Sequence, residues 1–473
     1  MRDTILLHLN GQRHEVKGAE AFMTLSDFLR YQRGLTGTKV VCAEGDCGAC
    51  TVLVSHGDER YQSINSCIAF MWQLDGSHII SVEGLKREGQ VHPVQESMVT
   101  AHGAQCGYCT PGFICAMAGM TEDARIEGFP LEEKRVRNYL TGNLCRCTGY
   151  QSIIEAGCKT DMKTVPDLKK LYPAATTRAA GPVHLTHDGL EIFLPTSVNE
   201  AVEIFSRETV KIVSGATDLG VLYNKGKWAP QKMLSLSAIS ELKTITEDKD
   251  VLVVGARASL AQLEAATVKL FPELSRMLHL FASPQIKNSA SLIGNMMNAS
   301  PIADTIPFLK VAEAEVVLVG PQGQRTVNVN EFYLPGYKKM DLRAGEIVTH
   351  VRIPKTQDSF RLYKVSKRKD MDISAVTAAL RYRLDKDVFA SISIAFGGVG
   401  ASVLRFPDLE NLARGQKVTP ALMRQLGVEL DKQITPVSDV RGSDKYRRLL
   451  CTNLLMKFGD ELASHWAPRE VSL

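Results

Sequence analysis

No apolar run in this chain approaches the ~18–20 residues that a membrane-spanning helix requires, so no helical membrane anchor is expected. An excess of one charge is also missing. The net charge of +4 over 473 residues is too small to suggest nucleic acid as a partner. No G-x-G-x-x-G follows a strand pattern, which removes the usual dinucleotide fingerprint. Nothing resembles a nucleophile triad or a metal-hydrolase motif, and no residue of the chain is expected to act as a catalytic acid or base. The opening residues Met1-Arg2-Asp3-Thr4 carry an acid and run into an alternating pattern. Neither a signal peptide nor a twin-arginine leader is expected there. The expected location is the cytoplasm, where disulfides are rare.

What is present is an ordinary globular composition, 44% hydrophobic and 23% charged, in a chain long enough for two to four domains. The exception is cysteine. Of 11 cysteines, all but Cys115, Cys158 and Cys451 fall in two dense groups before residue 150. Clustering of this kind favours metal ligation over a disulfide framework.

The first group is Cys42-Ala-Glu-Gly-Asp-Cys47-Gly-Ala-Cys50, with Cys67 further on. A C-x4-C-x2-C run followed by a distant cysteine is the spacing of plant-type [2Fe–2S] ligation. Gly45 and Gly48 let the backbone curl tightly and aim N–H groups at the sulfurs, which tunes a cluster's potential. Structural zinc is the alternative, but zinc prefers paired C-x2-C knuckles. Around this loop, Ile5–Leu9 and His14–Val16 flank Asn10-Gly11, a hairpin signal. Thr24 or Ser26 is positioned to cap a short helix, and Thr51–Val54 and Ile79–Val82 read as strands. The pattern predicts a β-grasp, ferredoxin-like domain over residues 1–85.

The second group is Gln105-Cys106-Gly-Tyr-Cys109-Thr-Pro-Gly and, later, Asn143-Leu-Cys145-Arg-Cys147-Thr-Gly-Tyr. The residues around these pairs are helical in character. About four short helices are expected over 86–158, with both pairs at helix ends, where the helix N-terminus favours thiolates. Alone, C-x2-C with a distant C-x-C would suit zinc equally. Beside the first group, two four-cysteine sites make an electron relay, a role closed to redox-inert zinc.

Residues 159–187, broken by Pro166, Pro173 and Pro182, read as a linker. Beyond them, 188–473 is mixed α/β. Val198–Phe205 begins an amphipathic helix. Val210–Val213 reads as a buried strand running into Ser214-Gly215-Ala216-Thr217-Asp218, a turn that can offer N–H groups to a phosphate. Ser289–Asp304 is rich in small and polar residues that suit either close approach to a polar ligand or a packed core helix. Ser366–Ile373 is a charged loop, attracting NAD phosphates or simply solvated. Val376–Tyr382 and Ala390–Gly398 read as paired strands, with helices around 419–433 and 443–459, the second carrying Cys451 on its apolar face.

Together CAEGDCGAC, QCGYCTPG and NLCRCTGY resemble the N-terminal iron–sulfur half of the xanthine dehydrogenase family of molybdenum hydroxylases. The resemblance runs along the whole chain. It implies a multidomain α+β protein with two [2Fe–2S] clusters, one on Cys42, Cys47, Cys50 and Cys67 and one on Cys106, Cys109, Cys145 and Cys147. Gln105 and Cys147 match residues that approach the molybdopterin of a partner. Cys115 and Cys158 match no ligand and are expected to be buried structural thiols. Residues 188–357 would be an α/β FAD-binding domain of the vanillyl-alcohol-oxidase type, and 358–473 its α+β C-terminal subdomain. By position, Lys211, Ile212, Val213, Ser214, Gly215, Ala216, Thr217, Asp218 and Leu219 would wrap the FAD pyrophosphate, and Phe281 would pack beside the ring. Ala290, Ser291, Gly294, Asn295, Asn298, Ser300 and Asp304 would contact the rest, joined by Ile347, Val348 and Lys364. Some relatives carry Asn or Gly where this chain has Ala216, and the segment before Lys364 is shorter than in animal relatives. Tyr337 matches a residue near the nicotinamide site.

No molybdopterin domain or substrate pocket is found in the sequence. The resemblance therefore implies the small, electron-transfer subunit of a xanthine dehydrogenase. A large molybdopterin-binding subunit would oxidise hypoxanthine and xanthine to urate, in a heterotetramer of two small and two large subunits. Electrons would pass through the helical-domain cluster, the β-grasp cluster and FAD to NAD+. Two rivals carry the same motifs: a subunit serving another N-heterocycle or an aldehyde, and a free-standing iron–sulfur flavoprotein.

Overall fold

The turn at Asn10-Gly11, both residues at positive φ (51° and 85°), folds β1 (Ile5–Leu9) onto β2 (Gln12–Val16), as an Asn-Gly hairpin demands. This is the first element of a computed structural model that describes residues 1–57, 59–86, 89–173 and 181–464. β3 (Thr51–His56), β4 (Gln62–Asn65) and β5 (Ser77–Ile80) complete a sheet of order β2-β1-β5-β3-β4. β1 and β5 run parallel. β1 alternates buried and half-buried residues, the period-2 pattern of a strand with one face on a core. Thr24 caps the short helix Leu25–Asp27, its hydroxyl accepting from the Asp27 N–H.

Four helices follow: Pro93–Thr100, Thr110–Glu127, Glu133–Tyr139 and Gln151–Lys159. The first starts at Pro93, with His92 and Gln95 forming a reciprocal cap. The second is buried along most of its length, including Phe113, Met117 and Cys115. Cys158 is only half-buried, at the end of an amphipathic helix rather than inside the core, which corrects the expectation of a buried thiol there.

In the stretch read as a linker, residues 174–180 lie outside the described residues. Residues 183–187 are a strand, β6 (Val183–His187), paired with β7 (Leu190–Leu194). Prolines on its N-terminal side mask its alternation of buried Val183 and Leu185. β8 (Lys211–Val213) and β9 (Lys232–Ser235) complete a sheet of order β6-β7-β9-β8. β8 is its edge strand, and only Val213 of the three is buried, so the expected buried strand is an exposed edge. This sheet and the first share one apolar core: Ile5, Leu7, Phe28 and Trp72 pack in the same cluster as Leu185, Ile192, Leu194 and Val213. Each such side chain contributes roughly 1.5–3 kcal/mol on burial.

The chain divides into two compact units. One is Met1–Glu241 with Ala282–Ala290, and the other is Leu242–Phe281 with Ser291–Leu473. The second holds two sheets. β10 (Ile245–Glu247), β11 (Val251–Gly255), β12 (Glu315–Gly320), β13 (Gly323–Asn328) and β14 (Ile347–Pro354) are arranged β10-β11-β14-β12-β13. β15 (Ser359–Val365), β16 (Val376–Asp385), β17 (Val388–Gly397) and β18 (Leu404–Arg405) form an antiparallel sheet. Its apolar face packs with the helices Pro420–Gln433 and Asp444–Ser464, and Cys451 lies fully buried in that core.

Candidate functional site

Tight curvature shapes the first cysteine loop. Gly45 and Gly48 sit at φ 74° and 68°, and Ala43 joins them at 53°. The N–H groups that reach sulfur flank those glycines: Glu44 and Asp46 donate to Cys42, and Ala49 donates to Cys47. The Glu44 bond spans 3.4 Å. All four thiols form one set, with Cys42 bonded to Cys47 and Cys67, and Cys50 bonded to Cys67. Hydrogen bonds from Cys47 and Cys67 hold Cys42 far below the usual thiol range, and the same bonds push Cys47 and Cys67 up. The bond from Cys67 lowers Cys50 against the opposing effect of burial. A set that shares protons in this way exchanges them for metal, because binding requires thiolates.

The second set pairs across two segments. The Cys147 thiol donates to Cys106 Sγ over 3.6 Å, and Cys109 bonds with Cys145. Cys109 precedes the helix Thr110–Glu127, whose first turn has no side-chain cap. Burial pushes its thiol up to about 12. Burial also raises Cys145, but hydrogen bonds from the Thr148 hydroxyl and the N–H groups of Thr148 and Cys147 outweigh it and leave it lowered. Among the described residues, no three His, Cys, Asp or Glu side chains converge in a way that would hold a single ion. In the second set the sulfurs meet as two pairs, Cys106 with Cys147 and Cys109 with Cys145, an arrangement that fits two irons with two thiolates each.

The two sets differ in exposure. Cys50 and Cys67 are buried, whereas Cys106 and Cys147 are exposed. Gln105, Tyr108 and Leu144 are exposed beside them. The sets adjoin through backbone, the Leu144 N–H donating to the Cys47 carbonyl over 2.9 Å.

The first set also touches the segment with the phosphate-type turn. In the helix Thr217–Asn224, the Asn224 amide donates to the carbonyls of Ala43 and Cys67, both at 2.8 Å. Gly220 lies so close that a Cβ there would sit 2.6 Å from the Ile68 carbonyl oxygen. Ala216 begins this helix at φ 59°, the left-handed region where Gly or Asn is favoured, and no side chain caps it. Its leading N–H groups suit an anion. A Cβ on Gly215 would stand 2.1 Å from the Ser289 carbonyl oxygen and 3.1 Å from Ala290 Cα. Only glycine lets the 214–218 loop lie against Ala290. A backbone cradle and an uncapped helix start fit the diphosphate of FAD.

The remaining sequence-assigned flavin residues belong to the second unit. Ser291 caps the helix Leu292–Asn298, its hydroxyl accepting from the Gly294 N–H. Asn295 Oδ1 accepts from the Thr305 hydroxyl at 2.7 Å, and Asn298 Oδ1 accepts from Lys338 Nζ at 3.0 Å. Ser300 Oγ accepts from the Ile302 N–H. Asp304 and Lys364 form an ion pair of 2.6 Å with each side chain 5% exposed. Lys364 donates further to the Asp372 carbonyl and to Ser374 Oγ, and Ser374 donates to Asp304 Oδ1. Three acceptors use all three ammonium protons, so Lys364 ties Asp304 to the 372–374 segment through protein contacts. Ile347 and Val348 are buried in β14, Phe281 is half-buried at the end of the helix Pro272–Leu280, and Tyr337 is largely exposed.

Four family models match the chain. A 2Fe-2S iron-sulfur cluster binding domain matches 7–72, and a [2Fe-2S] binding domain matches 81–158. The FAD binding domain in molybdopterin dehydrogenase matches 188–356, and the CO dehydrogenase flavoprotein C-terminal domain matches 361–462. The chain is an iron–sulfur and FAD module of the molybdenum hydroxylase family.

Curated members of that family align along nearly all of it. Xanthine dehydrogenase 1 of Arabidopsis thaliana is 29% identical over 96% of this chain, and aldehyde oxidase 2 of Cavia porcellus is 29% identical over 96%. The chain spans 39% of the length of each. In fold it is similar to a carbon monoxide dehydrogenase chain from Hydrogenophaga pseudoflava, with a TM-score of 0.54 at 24% identity, covering 57% of this chain and 95% of that one. Molybdenum hydroxylase modules of this kind thus carry the two cysteine sets and the flavin region in one polypeptide here. Sequence reasoning gave no role to Asn143, Asn224 and Gln285. A polar side chain that bonds to groups distant in the chain leaves no spacing signal.

Proposed function

We propose that this chain is the electron-transfer subunit of a xanthine dehydrogenase, working beside a separate molybdopterin subunit that oxidises hypoxanthine and xanthine to urate. The reading takes Cys42, Cys47, Cys50 and Cys67 as ligands of one [2Fe–2S] cluster, and Cys106, Cys109, Cys145 and Cys147 as ligands of the other. It assigns to FAD residues 211–219 and Ala290 of the first unit and, of the second unit, Phe281, Ser291, Gly294, Asn295, Asn298, Ser300, Asp304, Ile347, Val348 and Lys364. When bound, the clusters would supply one-electron carriers and the flavin a site where two electrons combine with a proton as one hydride for NAD+. The chain's own residues hold the thiolates with backbone N–H groups, present one thiol pair at the surface and bury half of the other set. No residue need move a proton for the purine.

One observation carries the reading. Within a single unit an exposed thiol pair, a second thiol set and a phosphate-type helix start follow one another in contact. The exposed pair is the side a partner's pterin would approach, beside Gln105. A heterotetramer of two small and two large subunits in the cytoplasm is the assembly this implies. Part of the charge in the loop at 366–373 is committed, since Arg368 pairs with Asp372. Lys367 Nζ donates to the Val440 carbonyl at 2.6 Å, so Lys369 is the stronger candidate to meet NAD phosphates.

The equal identity to an aldehyde oxidase favours one alternative, the same relay serving an aldehyde or another N-heterocycle. Co-purification separates these readings. A native complex larger than the chain, with flavin and [2Fe–2S] absorbance and xanthine-dependent NAD+ reduction, is the expected result. Bound zinc without iron would refute the relay. A stable lone monomer with NADH diaphorase activity would favour a free-standing carrier.

A further inference from the structure

Gln285 is a buried polar residue on the short helix Pro284–Ser289, 1% exposed. No cysteine lies near it in sequence, yet its amide meets both cysteine loops. Nε2 donates to Asn143 Oδ1 at 2.8 Å and to Thr51 Oγ1 at 3.3 Å. Asn143, itself 2% exposed, stands two residues before Cys145. Its Nδ2 donates to the Gly48 carbonyl at 3.0 Å and to Thr51 Oγ1 at 3.4 Å. Thr51, next to Cys50, donates to the Gly48 carbonyl at 2.6 Å. Every donor of the three side chains is used, and the Thr51 hydroxyl fills its one donor and two acceptor places.

The approach is as close as backbone permits. A Cβ on Gly142 would stand 2.0 Å from Gln285 Oε1. One on Gly48 would stand 2.2 Å from the Gly142 carbonyl oxygen, and one on Gly112, three residues after Cys109, would stand 2.2 Å from the Gly48 carbonyl oxygen. The same helix leads directly into Ala290, against which Gly215 packs. Three segments that are far apart in sequence, each flanking a cofactor-assigned stretch, therefore close on one amide. Gln285 Oε1 is left without a partner among the described residues, so the amide is oriented by its two donor bonds, and directional buried bonds of this kind favour a single arrangement.

We propose that Gln285 is a positioning residue for electron transfer, its amide fixing the two cysteine loops against each other and both against the segment leading to the flavin. This rests on the relay reading above. Apolar packing alone would hold the modules together but would tolerate sliding, whereas directional bonds to Asn143 and Thr51 set one register.

The test uses the purified full chain with its bound cofactors. Q285M conserves volume and removes both donors. N288A serves as the control. Asn288 lies on the same helix and donates to the Ser63 carbonyl at 2.9 Å, anchoring the helix without touching a cysteine loop. Both variants should keep wild-type iron and flavin content. Q285M alone should alter the electron paramagnetic resonance line shape that arises from spin coupling between the two reduced clusters. It should also slow flavin reduction from the clusters by about tenfold, a smaller loss than the ~100-fold that a 1 Å misplacement can cost. If Q285M loses cofactor, Q285E is measured instead, since it keeps the shape and lacks the donors. Line shapes and rates equal to those of wild type, or shifted equally in N288A, would overturn the proposal. Wild-type protein without [2Fe–2S] absorbance would overturn the relay reading, and this proposal with it, before any variant is made.

Discussion

Single atoms decide whether the cysteine loops can close. Gly112 has no unusual backbone angle, yet a methyl group there would meet the Gly48 carbonyl oxygen at 2.2 Å and Ala49 Cα at 3.0 Å. Both neighbours are backbone, so the strain has no flexible side chain to absorb it. G112A is expected to destabilise by about 1–3 kcal/mol, as overpacking does, and to lower iron content. Thermal unfolding and a colorimetric iron assay would check it, and full iron at an unchanged midpoint would contradict it. A second residue contributes to the acid limb, together with His92, which burial holds down to about 4. His78 is 2% exposed and accepts from the Gly11 N–H on Nε2, so Nδ1 carries the proton and donates to the Tyr61 oxygen. Burial, with a smaller effect from His8, holds it down to about 3, against ~6.5 in an unfolded chain. Between those values the unfolded state binds a proton that the native state does not. Stability is therefore complete above ~6.5 and falls with pH, by at most about 1.4 kcal/mol per unit from this group. H78Q should lose less stability than wild type between pH 7 and 5 in urea titrations. Equal losses would show that His78 does not set the slope.

Among the elements, the helix Thr217–Asn224 bears the most contacts of consequence. One end faces the phosphate-type turn, and the other holds the first cysteine loop through Asn224. N224A should cost about 0.5–1.5 kcal/mol for each bond lost and speed iron loss to a chelator. Unchanged chelation kinetics would count against it. The sequence made some elements legible and hid others for physical reasons. Cys42 to Cys50 are local, so their spacing alone implied a shared site, and Asn10-Gly11 can only turn. The four helices around the second set followed from His92-Pro93 and from long apolar stretches. β6 was hidden because prolines precede a strand whose alternation is short. The stretch Val210–Val213 read as buried because three of its four residues are apolar around an exposed lysine, although β8 is an edge. The flavin residues were placed by resemblance, not by pattern, since hydrogen bonds such as Lys364 to Asp304 join positions that no periodicity connects. Ala216 illustrates the limit: its departure from Gly or Asn was visible, and its left-handed backbone was not.

At the scale of the molecule, the shared core matters most. Val183 and Leu185 of β6 and Ile192 and Leu194 of β7 pack in one cluster with Leu7, Phe28 and Trp72. A fragment ending at residue 187 would strip Ile192, Leu194, Val213 and Met233 from that cluster, each worth roughly 1.5–3 kcal/mol. It is expected to aggregate or to melt well below the full chain, and a soluble fragment with an unchanged midpoint would contradict the shared core. No described helix is long and apolar enough to cross a membrane.

The excursion of Ala282–Ala290 into the first unit has a consequence for heredity. Recombination exchanges contiguous stretches of gene, but here the helix bearing Gln285 is encoded between stretches of the second unit. A crossover placed between the iron–sulfur and flavin regions would unite Asn143 and Thr51 of one parent with Gln285 of the other. Shuffled descendants would inherit a mismatched clasp unless all three residues agreed. Lineages carrying this arrangement should exchange these modules rarely, and the three residues should change in step.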